Sequence, residues 1–417
     1  MNRVFHSNFD LEEQLRGDAN RLSADAARRV EELSTVWLGI AEDSDILPVS
    51  GAFDRRFFES LGDAGLPRLR PVTAVDAKSQ NKHFCPWGWS SQCLDVARRN
   101  GWCTHAPQLD AVMLANSRRF STEFELRHGL AIAGTAVVET ANQLREHLKR
   151  APPEHDKWIV KSGFGMSGRE QIRGVSPDPT SKTIDRIVAW IRRDGCAVVE
   201  PMLSPVAEVG LQFEIPAQGS TAFIGAVELM TDRRGAWLAS RIVAGDVLQR
   251  ETPLRGGGCS GRDTGRSRPD RLRQVNEGRD DQWWSSAVGI GFQVADELRG
   301  LGYFGPVGID GMQYCAPQGE LRLRPVQDVN ARYTMGRMSL GFRRLLGSGE
   351  QAEWQRFRWP AETTDQERTA APLLCPVFST NSGFCCQRSI ITSPRFTTFG
   401  PARYGTALLI GRLKTED

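Results

Sequence analysis

Residues 307–338, VGIDGMQYCAPQGELRLRPVQDVNARYTMGRM, read as two strands joined by a polar turn. Asp310 stands at the end of the first strand, and Asp328 and Asn330 stand on the second. Residues i and i+2 of a strand point to one face, so Asp328 and Asn330 project together and Asp310 can face them from the neighbouring strand. Two carboxylates and an amide oxygen form an all-oxygen group suited to a Mg²⁺ that already carries nucleotide phosphates, because Mg²⁺ rarely takes a full protein cage. Taken alone, D-x-N also fits two exposed acids on a hairpin. The upstream chain decides between these readings.

Upstream, residues 157–170 read KWIVKSGFGMSGRE. Trp158, Ile159 and Val160 form a short apolar run, the pattern of a buried strand. The run feeds Lys161 into a turn carrying Gly163, Gly165 and Gly168. Such a turn can set an ammonium beside phosphates while backbone N–H groups come close without side-chain obstruction. The lysine precedes the glycines and no G-K-[ST] follows, so this is not a Walker loop. The glycines fit G-x-G-x-x-G by count, but no amphipathic helix opens at Ile172, and the lysine favours a polyphosphate over a dinucleotide. A plain glycine-rich hairpin is the alternative. Residues 196–203, CAVVEPML, form a third element, a strand of small and branched apolar residues closed by Glu200 and Pro201. With Met202 and Leu203 after it and Glu208 further on, it suits an adenine pocket. Backbone groups would read the base edge, apolar side chains cover its face, and a carboxylate hold the ribose. An edge strand ending in a solvated glutamate fits the same residues.

The order of these pieces resembles the ATP-grasp superfamily, which includes D-alanine–D-alanine ligase, biotin carboxylase and many carboxylate–amine ligases. The resemblance covers roughly residues 112–345. It implies that Lys161 contacts phosphate ahead of a flexible loop of Gly163, Gly165, Ser167 and Gly168. It further implies that Glu200, Met202 and Leu203 form the adenine hinge, that Glu208 holds the ribose, and that Asp310, Asp328 and Asn330 bind Mg²⁺ or Mn²⁺. Arg332, in N-A-R, would stabilise the anionic reaction centre. Residues 115–120, ANSRRF, resemble the entry to the ATP domain, with Arg118 where the family usually has a lysine; arginine keeps the charge and grips phosphate bidentately. Asp328 is one methylene shorter than the usual glutamate. Gly308 stands where peptide-type ligases often carry arginine, a charge that Arg322, Arg324 or Arg332 could supply.

The implied fold is α/β: a Rossmann-like domain over 1–111, a small ATP-grasp lobe over 112–195, a large α+β lobe with the metal site over 196–346, and a β-rich extension over 347–417. Strand-like runs in the extension are Leu373–Phe378, Ser389–Thr392 and Ala407–Ile410. The implied function is an ATP-dependent ligase that activates a small-molecule carboxylate as an acylphosphate for attack by an amine. A small-molecule kinase and a non-catalytic nucleotide-binding protein remain open on the same scaffold. A homo-oligomer is compatible with either.

Composition sets outer bounds. A chain of 417 residues can hold two or three domains. Its 53 Lys and Arg against 50 acids do not mark a nucleic-acid binder. No run of eighteen apolar residues exists, and the start lacks the apolar segment of a secretory signal. Nine cysteines without a C-x-x-C pair read as free thiols in a reducing cytosol, which places the protein in the cytoplasm. Two tryptophans in CPWGWS, residues 85–90, either line a ligand pocket or pack against the next domain. Residues 250–282, rich in Gly, Arg and Asp, read as a solvated linker or as a loop that covers an anionic substrate.

Overall fold

The N-terminal stretch alternates short apolar runs with helical segments, the pattern that builds a parallel sheet flanked by helices. Its strands are β1 (Arg3–His6), β2 (Ile46–Val49), β3 (Arg70–Thr73) and β4 (His83–Pro86), all parallel in the order β3-β2-β1-β4. The accompanying helices are α1 (Leu11–Leu15), α2 (Ala24–Glu32), α3 (Arg55–Asp63) and α4 (Ser91–Asn100). Val4, Ile46 and Phe84 bury their side chains against Cys93, Ala97 and Trp102. Ser90 caps α4 by accepting from the Cys93 N–H, and Gly101 ends it in the left-handed conformation. Trp87 of the CPWGWS segment is buried edge-on against Phe9 and Trp37.

The computed structural model describes residues 3–17, 24–49, 55–73, 82–150, 157–166, 168–175, 179–243, 280–359, 384–394, 396–397 and 400–413. These fall into two compact units. One comprises the described parts of Met1–Leu109, Leu238–Gly245 and Arg332–Asp417, and the other those of Asp110–Trp237 and Asp246–Ala331. Ser167, the run Leu373–Phe378 and most of the 250–282 segment lie outside the described residues.

The second unit opens with α5 (Leu109–Ala115), α6 (Arg118–Arg127), β5 (Ala136–Val138), α7 (Ala141–Lys149), β6 (Trp158–Ser162), β7 (Gln171–Gly174), α8 (Ser181–Asp194) and β8 (Ala197–Pro201). The strands form an antiparallel sheet in the order β5-β8-β6-β7. In α8 the apolar residues Ile184, Ile187, Trp190 and Ile191 recur on one helical face. That face packs on Trp158, Val160, Ala197 and Val199 of the sheet. Ser117, Thr140 and Thr180 each accept a backbone N–H at the start of α6, α7 and α8.

Next come β9 (Ser204–Ile215), β10 (Ala222–Thr231), β11 (Trp237–Val243), α9 (Asp280–Gly300), β12 (Gly305–Cys315) and β13 (Leu321–Asn330). Within this unit β13-β12-β9-β10 are antiparallel neighbours, and α9 packs across β13 and β9. The first unit is completed by α10 (Met335–Gly341), β14 (Gln351–Arg358), β15 (Phe384–Ile391), β16 (Phe396–Thr397), β17 (Gly400–Pro401) and β18 (Tyr404–Leu413). There β11-β14-β18-β15 are neighbours, so two of the three strand-like runs of the extension, Ser389–Thr392 and Ala407–Ile410, fall in or at the end of paired strands.

No described helix is long and apolar enough to cross a membrane. The cysteines correct one expectation: Cys93, Cys103, Cys196, Cys385 and Cys386 are thiols, whereas Cys315 is disulfide-bonded. Pairing depends on which segments come within sulfur reach, which spacing along the chain does not reveal.

One backbone contact in the first unit leaves no room for a side chain. A Cβ on Gly39 would lie 2.0 Å from the Met338 carbonyl oxygen, and one on Gly341 would lie 1.5 Å from the Gly39 carbonyl oxygen. Gly39→Ala should therefore destabilise the protein by about 1–3 kcal/mol through forced backbone shifts. Gly289→Ala, whose Cβ on α9 would meet nothing within 4 Å, should be neutral or slightly stabilising. Denaturant titration of the two variants checks this contrast; equal effects would contradict it.

Candidate active site

Lys161 and Glu200 meet because of strand register. In the antiparallel pair β6–β8, Lys161 lies opposite Val198 and Ile159 opposite Glu200, so the two charged side chains are diagonal neighbours on one face. The Lys161 ammonium is ion-paired with Glu200 Oε1. The other carboxylate oxygen, Oε2, lies 2.8 Å from a terminal nitrogen of Arg324. Arg324 in turn grips Glu125 of α6 with two hydrogen bonds, Nε to Oε1 at 2.8 Å and Nη2 to Oε2 at 2.6 Å. Glu125, Arg324 and Glu200 are all buried. Two cations and two anions thus form a neutral chain linking β6, β8, α6 and β13.

The two carboxylates of this chain respond in opposite directions. Burial works against the charge on Glu200, but Arg324 and Lys161 together outweigh it and hold its carboxyl down at about 2. Burial pushes Glu125 up and the Glu200 charge adds to that, against the pull of Arg324 in the other direction. Burial also opposes the charge on Arg324, yet Glu200 and Glu125 raise it, so the guanidinium stays protonated. The Glu200 side chain therefore lies inside the protein. The short link after it, Met202 and Leu203, is half-buried, and the Met202 N–H donates to the Lys157 carbonyl at 2.9 Å.

The oxygen-rich group lies on the second sheet of the same unit. Asp310 of β12 is directly opposite Asp328 of β13, and Asn330 is opposite Gly308. The Asn330 amide donates to Asp310 Oδ2 at 3.2 Å, and Asp328 Oδ1 accepts the Val329 N–H at 3.1 Å. On β9, Gly210 is opposite Asp310 and Glu208 is opposite Met312, which itself faces Arg324. Glu208, Asp310, Asp328 and Asn330 thus share one sheet face with Arg324. Glu208 is pushed up by burial and drawn down by a hydrogen bond from Thr231 Oγ1, at 2.5 Å, and by the Lys161 charge. No cluster of three or more His, Cys, Asp or Glu able to hold a metal exists among the described residues. The donor set is two carboxylates and an amide, the hard-oxygen chemistry that suits Mg²⁺ or Mn²⁺ completed by phosphate oxygens.

The glycine loop is tied down. The Arg118 guanidinium donates to the Ser162 carbonyl at 2.9 Å and to the Gly165 carbonyl at 3.2 Å, and its backbone N–H donates to the Gly163 carbonyl at 2.9 Å. Beyond the loop, Glu170 is held by Arg193 through contacts of 2.7 and 3.1 Å. A Cβ on Gly168, whose φ is +69°, would lie 1.9 Å from the Arg234 carbonyl oxygen, so only glycine fits where the loop meets the turn after β10. Arg332 belongs to the first unit. There its Nε and Nη2 both contact Glu12 Oε1, at 2.9 and 2.8 Å, and its guanidinium lies over Trp87.

Lys161, Glu200, Glu208, Asp310, Asp328, Asn330, Arg118 and the described glycines therefore fall in one unit, and Arg332 in the other. Glu125 and Thr231 escaped the sequence reading, and Arg324 entered it only as a spare charge. The available signal was an acid on the buried stripe of α6 beside Phe124, and an arginine on the inward face of β13.

Glu200 makes stability pH-dependent with a definite sign. Its folded pKa lies below the ordinary carboxylate value, so its contribution is present above about 4.5 and is lost as pH falls towards about 2. The size is of order 3 kcal/mol. Urea titrations between pH 6 and 3 should show the native chain losing stability more steeply than Glu200→Gln, although the variant is weaker at pH 6. Parallel curves would show that Glu200 carries none of the acid sensitivity.

No family model and no curated protein matches the sequence. Solved structures do. The chain is similar to a biotin carboxylase from Campylobacter jejuni, solved as a β,γ-ATP complex, with a TM-score of 0.51 and 12% identity over 99% of this chain and 87% of that one. It is also similar to phosphoribosylamine–glycine ligase from Thermotoga maritima, with a TM-score of 0.51 and 13% identity over 99% of this chain and 93% of that one. At such identities the likeness is one of fold, and it agrees with the parallel sheet and the two antiparallel sheets described above. The chain has the fold of the ATP-grasp superfamily.

Proposed function

We propose that this protein is an ATP-dependent ligase that activates a small-molecule carboxylate as an acylphosphate and passes the acyl group to an amine. The observation that carries the reading is that Lys161, on the strand before the glycine loop, is linked through Glu200 to Arg324, which lies across Met312 from Glu208 on the sheet face bearing Asp310, Asp328 and Asn330. A phosphate-binding cation and a metal-type oxygen group thus belong to one constellation.

In this reading ATP enters between the two sheets of the second unit. Met202 and Leu203 cover the adenine, and Glu208 accepts from the ribose hydroxyls. Lys161 contacts the phosphates, and the loop of Gly163, Gly165 and Gly168 covers them and excludes water, which would otherwise hydrolyse an acylphosphate. Arg118 acts through the loop, since its guanidinium is spent on loop carbonyls. Asp310, Asp328 and Asn330 would hold Mg²⁺ or Mn²⁺, which when bound neutralises charge on the transferring phosphoryl group. The chemistry needs no protein nucleophile, because positioning and charge neutralisation lower the barrier.

The reading is tested by calorimetry and product analysis. ATP should bind in preference to NAD or GTP, and a chelator should weaken that binding. Amino acids and small dicarboxylates, offered with amines, should stimulate ADP release, and mass analysis should find an amide; a stable phosphorylated product would point to a kinase. Asp328→Ala and Asn330→Ala should abolish stimulated ADP release while shifting the melting temperature by only a few degrees, as these half-buried groups add ~1 kcal/mol to stability. Variants that keep turning over would make the oxygen group structural.

The loop gives a separate test. Arg118→Ala removes two donors from loop carbonyls, so amide exchange over residues 163–166 should speed up without nucleotide. ATP with Mg²⁺ should slow that exchange again. Unchanged exchange in the variant would show that Arg118 does not hold the loop.

A further inference from the structure

We propose that Arg324 is a positioning residue whose task is to free Lys161: as the second cation on Glu200, it lets the ammonium leave that carboxylate for a nucleotide phosphate. The inference rests on the ATP-binding reading above and goes beyond it in naming a counter-ion exchange. Its basis is a division of labour on one carboxylate. Oε1 of Glu200 holds Lys161, and Oε2 holds Arg324. Lys161 is the only one of the four charged groups in the chain whose side chain keeps appreciable exposure, at 14% against 5% or less for the others.

An ammonium buried against a lone carboxylate is a poor phosphate ligand. To turn towards phosphate it would abandon an anion that is almost wholly removed from water, and an unpaired buried charge is strongly unfavourable. Arg324 removes that obstacle. When Lys161 turns away, Glu200 keeps a hydrogen-bonded guanidinium at 2.8 Å, and the phosphates that receive Lys161 bring their own negative charge. Glu125 is the fourth member because Arg324 would otherwise be a buried cation with one shared partner. Its two bonds to Arg324 fix the guanidinium so that one terminal nitrogen always faces Glu200. The arrangement is a lysine held at rest by a carboxylate that does not need it.

The test is a thermodynamic cycle on ATP binding, read by calorimetry with ATP and Mg²⁺. The background is Glu125→Leu with Arg324→Met, which removes a buried pair together and leaves no orphaned charge from it. In the native chain Lys161→Ala should weaken ATP binding about tenfold or more, the scale of a hydrogen bond to a charged group. In the Leu/Met background ATP binding should already be weakened by about as much, because Lys161 is now locked on Glu200, and adding Lys161→Ala should cost little more. Adding Glu200→Gln to that background should restore most of the affinity by unlocking the lysine. A merely structural role for Arg324 makes the opposite forecast: the Lys161→Ala loss stays additive and Glu200→Gln rescues nothing, which would overturn the proposal.

If the Leu/Met pair does not fold, Glu200→Gln in the native chain decides the matter. Tighter or unchanged ATP binding supports an anion that Lys161 must leave. A loss of about tenfold or more would show that Glu200 aims Lys161 instead, and would refute the exchange. A native chain that binds no ATP would defeat the functional reading itself, whereas a native chain that binds ATP with an additive cycle defeats only this inference.

Discussion

The second unit is organised around a carboxylate that has left water. Glu200 ends the apolar strand β8, and the same burial that makes that strand a core element would expel an unpaired charge. Two cations from different elements meet this constraint, Lys161 from β6 and Arg324 from β13. Arg324 then requires Glu125 from α6. One electrostatic requirement therefore ties together β6 and β8 of one sheet, β13 of the other and α6. The resulting chain is neutral, and that neutrality makes its burial tolerable. Loss of Arg324 would leave Glu125 without its counter-ion, which costs about 3–5 kcal/mol in comparable buried pairs, whereas loss of Lys161 leaves Glu200 still paired with Arg324.

The same face of β13 then carries two kinds of chemistry in sequence. Arg324 is buried, and Asp328 and Asn330, beyond a register shift opposite Asp310–Met312, are partly open. The strand thus leads from a closed ion-pair network to an oxygen-rich group within a few residues. The opposing positions on β12 and β9 extend that group, with Asp310 across from Asp328 and Glu208 two places further along. Gly210 lies opposite Asp310 and adds no side chain of its own.

Arg118 sets how the glycine loop is held. A lysine would offer a single ammonium, whereas the planar guanidinium reaches two loop carbonyls at once. The loop is anchored from behind by Arg118 and pinned near its far end by the Arg193–Glu170 pair. The glycines serve close approach as much as mobility, since a side chain at Gly165 would meet Arg118 and one at Gly168 would meet the turn after β10.

Much of this was legible in the linear chain. The apolar runs at 158–160 and 196–199, the glycines after Lys161 and the D-x-N pattern follow from local rules: strand periodicity, backbone freedom and the i, i+2 geometry of a strand. Their order was enough to indicate the ATP-grasp fold. What stayed hidden depended on long-range pairing. Arg324 and Glu125 are 199 residues apart, and neither is distinguishable from a solvated surface charge until α6 lies on β13. The carbonyls that engage Arg118, the Glu12 that engages Arg332 and the oxidised state of Cys315 are likewise set by which segments the fold brings together. Local sequence determined the strands, the helix caps and the kinds of chemistry available. Only the tertiary structure decided which charges meet, because a charge is recognised by its partner and its partner is rarely nearby in the chain.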